Sequence, residues 1–258
     1  MEIATLYTFF LNASGISTDS RKLEEGALFF ALSGPNFDGN QFAEQALKKG
    51  ALRVVIDNPN LTIKGKNVIL VENTLNTLQD LATFHRQKLG TPLIALTGSN
   101  GKTTTKELIR ALLTSKYNVL ATQGNLNNHI GVPLTLLKLK SHHEIGIIEM
   151  GANHSGEIAT LSEIAKPNWG LITNFGKAHL EGFGSMEGVI YAKSELYKYL
   201  ISNNQNILIN LDDSEQIKQT QGYKVSSFGQ TGKANFQWEN LESNEEGIKI
   251  YFQNQSFQ

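Results

Sequence analysis

Short apolar runs separated by helix-patterned stretches recur along most of the chain. Residues 27–31 form an apolar run that reads as a buried strand, and Phe42, Ala43, Ala46 and Leu47 fit one helix face that Gly50 would stop. Residues 53–57 and 68–71 read as further strands. Thr74 is placed to cap a helix with apolar positions at Leu75, Leu78, Leu81, Ala82 and Phe84. Gly90-Thr91-Pro92 breaks the pattern, and we expect a domain boundary there. A second series starts with the strand 93–97. It continues with a helix carrying Leu108, Ile109, Leu112 and Leu113, then strands at 146–150, 170–174 and 207–210. Strands apolar throughout, alternating with helices, predict an α/β fold built on a parallel sheet covered on both faces. From residue 224 onward the pattern changes: Phe236, Trp238, Ile248, Ile250 and Phe252 alternate with polar residues, as in antiparallel strands. The chain ends inside that alternation without a closing helix, so the expectation is a piece of a longer protein. There is no internal repeat.

Composition removes several alternatives. The 258 residues are 40% hydrophobic and 18% charged, enough for a sizeable core. A net charge of −1 gives no basic surplus for nucleic acid. The absence of cysteine excludes disulfides and thiolate metal sites. No apolar run approaches the ~18 residues of a membrane span. Glu2 stands where a signal peptide would carry a base, so the expected compartment is the cytoplasm.

The chemistry concentrates in Thr97-Gly98-Ser99-Asn100-Gly101-Lys102-Thr103-Thr104, between a strand and a helix. Glycines let backbone amides approach phosphate, the helix N-terminus adds its positive dipole end, and a lysine can reach β- and γ-phosphates. The usual phosphate loop has a glycine five residues before Gly101. Here that residue is Leu96, so the loop is a shortened form.

Downstream, several residues admit two readings each. Glu149 ends a strand at the edge where open parallel sheets bind ligands; it suits a metal, and equally a solvated loop. His179 and Glu181 lie in a glycine-flanked loop after Asn174, as ligands or as surface groups. Lys193 on a predicted helix reads, by itself, as an exposed lysine. The amide-rich segment 124–133, with Asn127 and Asn128, suits a polar ligand or a turn. Thr18-Asp19-Ser20-Arg21 suits phosphate or a capping cluster.

Taken together and in this order, these motifs resemble the Mur ligase family of peptidoglycan synthesis. The resemblance runs from about residue 15 to about residue 215. The phosphate loop resembles that family's variant. Gly124-Asn125-Leu126-Asn127-Asn128-His129-Ile130-Gly131-Val132-Pro133, Glu149-Met150-Gly151-Ala152-Asn153-His154-Ser155-Gly156-Glu157-Ile158 and Ala178-His179-Leu180-Glu181-Gly182-Phe183-Gly184-Ser185 favour the member that adds D-alanyl-D-alanine to a UDP-N-acetylmuramoyl-tripeptide. The segments 18–21 and 28–34 support the family without choosing between members.

The resemblance implies ATP-driven amide ligation through an acyl phosphate, in cell-wall precursor synthesis. It implies that Lys102 neutralises the phosphates and that Thr103 and Glu149 hold one Mg2+. It places His179 and a carbamylated Lys193 at a second Mg2+, Ser20 and Arg21 at the UDP-sugar, Asn127 and Asn128 at a substrate-side loop, and Asn210 and Asp212 beside the nucleotide. It divides the chain into a UDP-substrate domain (1–88) and a truncated, P-loop-type ATP-binding domain (89–258) of a monomer. The family's C-terminal domain and part of the adenine site would lie beyond residue 258, leaving the isolated chain unable to complete ligation. The competing readings are another amide ligase of the superfamily (diaminopimelate- or lysine-adding, or folylpolyglutamate synthase-like) and a non-catalytic nucleotide-binding module.

Overall fold

The computed structural model describes residues 1–257 apart from Lys64 and residues 178–179, 231–232, 245–246 and 253–254. The N-terminal third runs α1 (Ile3–Leu11), β1 (Ile16–Ser17), β2 (Leu28–Phe30), β3 (Ser33–Gly34), β4 (Phe37–Asp38), α2 (Ala43–Lys48), β5 (Arg53–Ile56), β6 (Val68–Leu70) and α3 (Thr74–Leu89). Then follow β7 (Leu93–Thr97), α4 (Lys102–Thr114), β8 (Val119–Ala121), α5 (Gly131–Leu136), β9 (Ile145–Glu149), α6 (Glu157–Ala165) and β10 (Trp169–Ile172). The remainder is α7 (Leu180–Phe183), α8 (Met186–Ser202), β11 (Asn206–Asn210), α9 (Ser214–Gln219), β12 (Ser226–Gly229), β13 (Phe236–Asn244), β14 (Gly247–Phe252) and β15 (Gln255–Phe257).

Two principal sheets result. The first is parallel, in the order β1-β2-β5-β6. The second has the order β15-β14-β13-β12-β11-β10-β7-β9-β8. Its strands from β8 to β13 are parallel, and β14 and β15 add antiparallel pairs. The expected α/β architecture and the antiparallel tail are both present. A short hairpin, β3–β4, completes the N-terminal third.

Both faces of the large sheet are covered. On one face Val132, Leu136, Ile158, Leu161, Val189 and Leu196 from α5, α6 and α8 are buried in the main core. On the other, Ile109 and Leu113 of α4 pack on Leu96, Ala121, Ile147 and Leu171. The four large apolar residues of α4 divide between sheet and solvent. Leu108 and Leu112, one turn apart, are exposed, and only Ile109 and Leu113 of the four face the sheet. Phe42 likewise leaves the α2 face and stacks on Phe37 with ring centroids 5.6 Å apart. The cap of α3 is Asn73, whose side chain accepts from the Asn76 N–H. Thr74 instead turns inward, donating to the Ala31 carbonyl and bonding Asp57.

α3 is tied to both halves. Its start binds the first sheet through Thr74. Near its end, Thr83 donates to the Ile164 carbonyl, and the Arg86 guanidinium donates to the carbonyls of Ala165 and Lys166 and to Asn168. These are carbonyls that the C-terminus of α6 leaves without helical partners. His85 is hydrogen-bonded through both ring nitrogens, to the Tyr7 hydroxyl at 3.1 Å and the Leu139 carbonyl at 3.0 Å. Burial lowers its pKa, favouring the neutral ring.

Candidate active site

The loop after β7 is held in shape by the chain that follows β10. The Ser99 N–H donates to the Asn174 carbonyl, and the Asn174 side chain brackets Asn100, accepting from its N–H (3.1 Å) and donating to its carbonyl (3.0 Å). The Thr173 hydroxyl donates to the same carbonyl at 2.7 Å, and the Ser99 hydroxyl bonds Gly176. The predicted strand 170–174 therefore stops at Ile172, and its last two residues serve as a clamp.

Gly98 is required by this contact. Its φ is +144°, and a Cβ there would lie 2.0 Å from the Thr173 hydroxyl and 3.0 Å from the Thr173 nitrogen. Gly101, at φ +75°, has nothing within 4 Å of a Cβ. Gly98→Ala is therefore expected to lower unfolding free energy by about 2–4 kcal/mol and Gly101→Ala by about 1 kcal/mol. Urea denaturation of the two variants checks the order; equal losses would count against the clamp.

Lys102 opens α4 and folds back over the loop, donating to the carbonyls of Gly98 (2.7 Å) and Ser99 (3.1 Å). Burial lowers its pKa and the nearby Glu149 opposes that shift. The loop thus carries its own cation at the helix N-terminus, where an anion is favoured. Thr104 is exposed on the same turn.

Glu149 ends β9, the neighbour of β7, and is 2% exposed. Its Oε2 accepts from the Thr103 hydroxyl at 3.1 Å, and its Oε1 accepts from the Asn127 amide at 2.8 Å. Its backbone N–H donates to the Thr122 hydroxyl. Of its two sequence readings, the solvated loop is therefore excluded. Asn127 packs on Gly151, while Asn128 caps the approach to α5 by accepting from the N–H groups of Ile130 and Gly131. Lys102, Asn127, Asn128, Ala152 and Glu157 line a cleft of about 710 Å3.

Lys193 is not the exposed lysine its sequence context suggests. It is 2% exposed on α8, and its Nζ donates to the Ala152 carbonyl at 3.3 Å. Burial, with Lys102 adding to it, brings its pKa down to about 8. Two residues on, the buried Glu195 carboxylate accepts from the N–H groups of Gly156 (2.6 Å) and Ala159 (3.0 Å), capping α6. α8 therefore grips both ends of the loop that leads from β9 into α6. His179 lies outside the described residues. Among the described residues no cluster of three or more His, Asp and Glu side chains forms a ready metal cage. The oxygen pair of Thr103 and Glu149 does fit an Mg2+ whose remaining ligands are phosphates and water.

The other expected residues are placed apart. Ser20 is buried and donates to Gln45, and Arg21 is exposed and paired with Asp19 at 2.8 Å. Their neighbours Thr18, Asp19 and Lys22 line a second cleft of about 620 Å3, together with Lys138, Lys140 and His143. Asn210 ends β11, two strands from β7, and Asp212 follows it; Asn210 accepts from the Asp212 N–H, and Asp212 accepts from the Gln230 N–H. Asn174, Thr122, Lys106 and Glu195 escaped the sequence reading. Their roles depend on partners 27 to 75 positions away, or on burial that a charged residue does not advertise. No helix among the described residues is long and apolar enough to cross a membrane.

Comparison with known proteins agrees with this geometry. Residues 12–86 match the Mur ligase family catalytic domain and residues 96–258 the Mur ligase middle domain. The UDP-N-acetylmuramoyl-tripeptide--D-alanyl-D-alanine ligase of Bacillus subtilis (strain 168) is 42% identical over 90% of this chain and 51% of its own length. The Escherichia coli (strain K12) ligase of the same name is 43% identical over 80% of this chain and 45% of its own. The chain thus spans about half the length of the curated relatives it matches. A MurF crystal structure from Acinetobacter baumannii superimposes with a TM-score of 0.85 at 31% identity, covering 99% of this chain and 59% of that one. The MurF ligase from Thermotoga maritima in complex with ADP gives 0.82 at 31% identity, covering 96% and 58%. By sequence match and by fold, this chain belongs to the Mur ligase family.

Proposed function

We propose that this chain is the UDP-substrate and ATP-binding part of an amide ligase that joins D-alanyl-D-alanine to a UDP-N-acetylmuramoyl-tripeptide in the cytoplasm. The observation that carries the reading is the junction of β7, β9 and α4, where Lys102, Thr103 and buried Glu149 converge beside one cleft. The names of the relatives supply the substrates, and the ADP complex of a structural neighbour supports the nucleotide.

In this reading residues 89–258 hold ATP, with Thr97, Gly98, Ser99, Asn100, Gly101 and Thr104 around the phosphates and Asn210 and Asp212 toward the nucleoside. Residues 1–88 hold the UDP end together with the segment around Lys138 and Lys140; the second cleft, where Lys22, Lys138 and Lys140 face Asp19 and Glu24, supports that assignment more directly than Ser20 and Arg21 do. The tripeptide carboxylate attacks the γ-phosphorus and the bond to the ADP oxygen breaks. The amine of D-alanyl-D-alanine then attacks the acyl phosphate carbonyl, and phosphate leaves. Two anions must meet in the first step, so neutralising charge is the main task of the site. Lys102 leaves its loop carbonyls for the phosphates, and Asn127 keeps Glu149 aimed. Mg2+ held by Thr103 and Glu149, with a second ion at His179 and Lys193, would supply further positive charge on the phosphoryl oxygens. For Lys193 this requires a carbamate: neutral Nζ adds to CO2 and releases a proton, becoming an oxygen ligand. A pKa of about 8 leaves roughly a quarter of that amine neutral near pH 7.5.

The test is substrate-dependent ADP formation by the protein together with whatever chain follows residue 258. The expected result is turnover with UDP-N-acetylmuramoyl-tripeptide that needs D-alanyl-D-alanine. Turnover that instead takes a single amino acid onto the dipeptide precursor would reassign the protein within the family.

A further inference from the structure

The buried position of α4 is a lysine. Lys106 is 1% exposed, whereas Leu108 and Leu112 on the same helix face solvent. Leaving an ammonium out of water is costly unless acids answer it. Two do: Glu107 Oε1 lies 3.1 Å from Lys106 Nζ, and Glu149 Oε2 lies 3.7 Å away. Glu107 is half exposed and shared with Arg110. Glu149 is buried, and Oε2 is the same oxygen that accepts from the Thr103 hydroxyl. The i, i+4 spacing puts Lys102 and Lys106 on one side of α4, so the Glu149 carboxylate sits among two ammonium groups.

We infer that Lys106 is a positioning residue whose ammonium stands beside Oε2 of Glu149 and thereby makes divalent-metal binding depend on nucleotide. The inference rests on the reading of Glu149 as a metal carboxylate. A bare dication approaching Oε2 meets a buried positive charge that solvent does not screen. A dication arriving with a nucleotide diphosphate or triphosphate brings negative charge that offsets Lys106. Glu107, already the nearer partner at 3.1 Å, keeps the ammonium answered when Glu149 takes the dication. The device protects a buried carboxylate from standing unpaired when the site is empty, and it discourages metal from binding without its phosphate partner.

The experiment titrates Mn2+ into the protein, following the free-ion electron paramagnetic resonance signal, with and without ADP. Lys106→Met is expected to bind Mn2+ alone about tenfold more tightly, and to lose a similar factor from the enhancement by ADP. Glu107→Gln removes the nearer acid partner, leaves the ammonium to Glu149, and is expected to weaken Mn2+ binding about threefold. Unchanged or weaker Mn2+ binding in Lys106→Met overturns the proposal. If that variant does not fold, unchanged or tighter binding in Glu107→Gln overturns it. Glu149→Gln separates the two layers. Loss of ADP-dependent Mn2+ binding there upholds the metal reading even when Lys106 fails its own test, whereas unchanged binding overturns both.

Discussion

Lys102→Ala is expected to reduce ATP-dependent turnover by about two to three orders of magnitude, the scale of losing one preorganised charge at a reacting phosphoryl group. The variant should fold, because Lys102 is only partly buried and its two hydrogen bonds are to carbonyls of its own loop. ADP affinity should fall with turnover, since the same ammonium meets the ground-state phosphates. Lys102→Arg is not expected to rescue, because a planar guanidinium cannot reproduce the compact point charge that the ammonium places on the loop. Isothermal titration with ADP and a coupled ADP-release assay measure the two effects. Unchanged values in Lys102→Ala would remove the phosphate-binding reading of the loop.

Lys193→Met is expected to separate stability from activity. The folded chain holds Lys193 at about 8, below the ordinary lysine value, because burial disfavours the ammonium. The unfolded chain therefore takes up the proton more readily between about pH 8 and pH 10.5, and wild-type stability falls as pH drops through that window. Below it the full cost, about 3 kcal/mol, is present. Methionine fills similar space without a charge, so in CO2-free buffer the variant should be more stable than wild type at pH 7. The two should converge above pH 10.5. Turnover should be lost at every pH. Urea denaturation at pH 7 and pH 10.5 provides the comparison; a variant less stable at pH 7 would mean that the Ala152 hydrogen bond outweighs the burial of charge.

The strands around the phosphate loop were legible because each is a short apolar run bounded by a turn: 93–97, 146–150 and 207–210 match β7, β9 and β11 within a residue. The loop itself was legible because glycine, lysine and threonine at a strand–helix junction have one common physical use. What stayed hidden depends on tertiary placement. Periodicity cannot say which apolar residues of α4 meet the sheet, so the exposure of Leu108 and Leu112 emerges only from the fold. It also cannot see a buried lysine, because the same letter serves a solvated surface. Lys193 acquired interest through family resemblance alone, and its burial is what the fold adds. Asn174 read as the end of a strand; its grip on Asn100 joins residues 74 positions apart. His179 lies outside the described residues, so its role stands where the sequence left it.

The helix α3 has a consequence for how the molecule comes apart. Its first turn is fastened to one sheet and its last turns to the helices of the other, through Thr74 at one end and Thr83, His85 and Arg86 at the other. Releasing the N-terminal sheet together with α3 would strand the Arg86 guanidinium and the open carbonyls of α6. Melting of α3 thus removes hydrogen-bond partners on both sides, and the two sheets are expected to come apart as one cooperative unit joined by a shared helix.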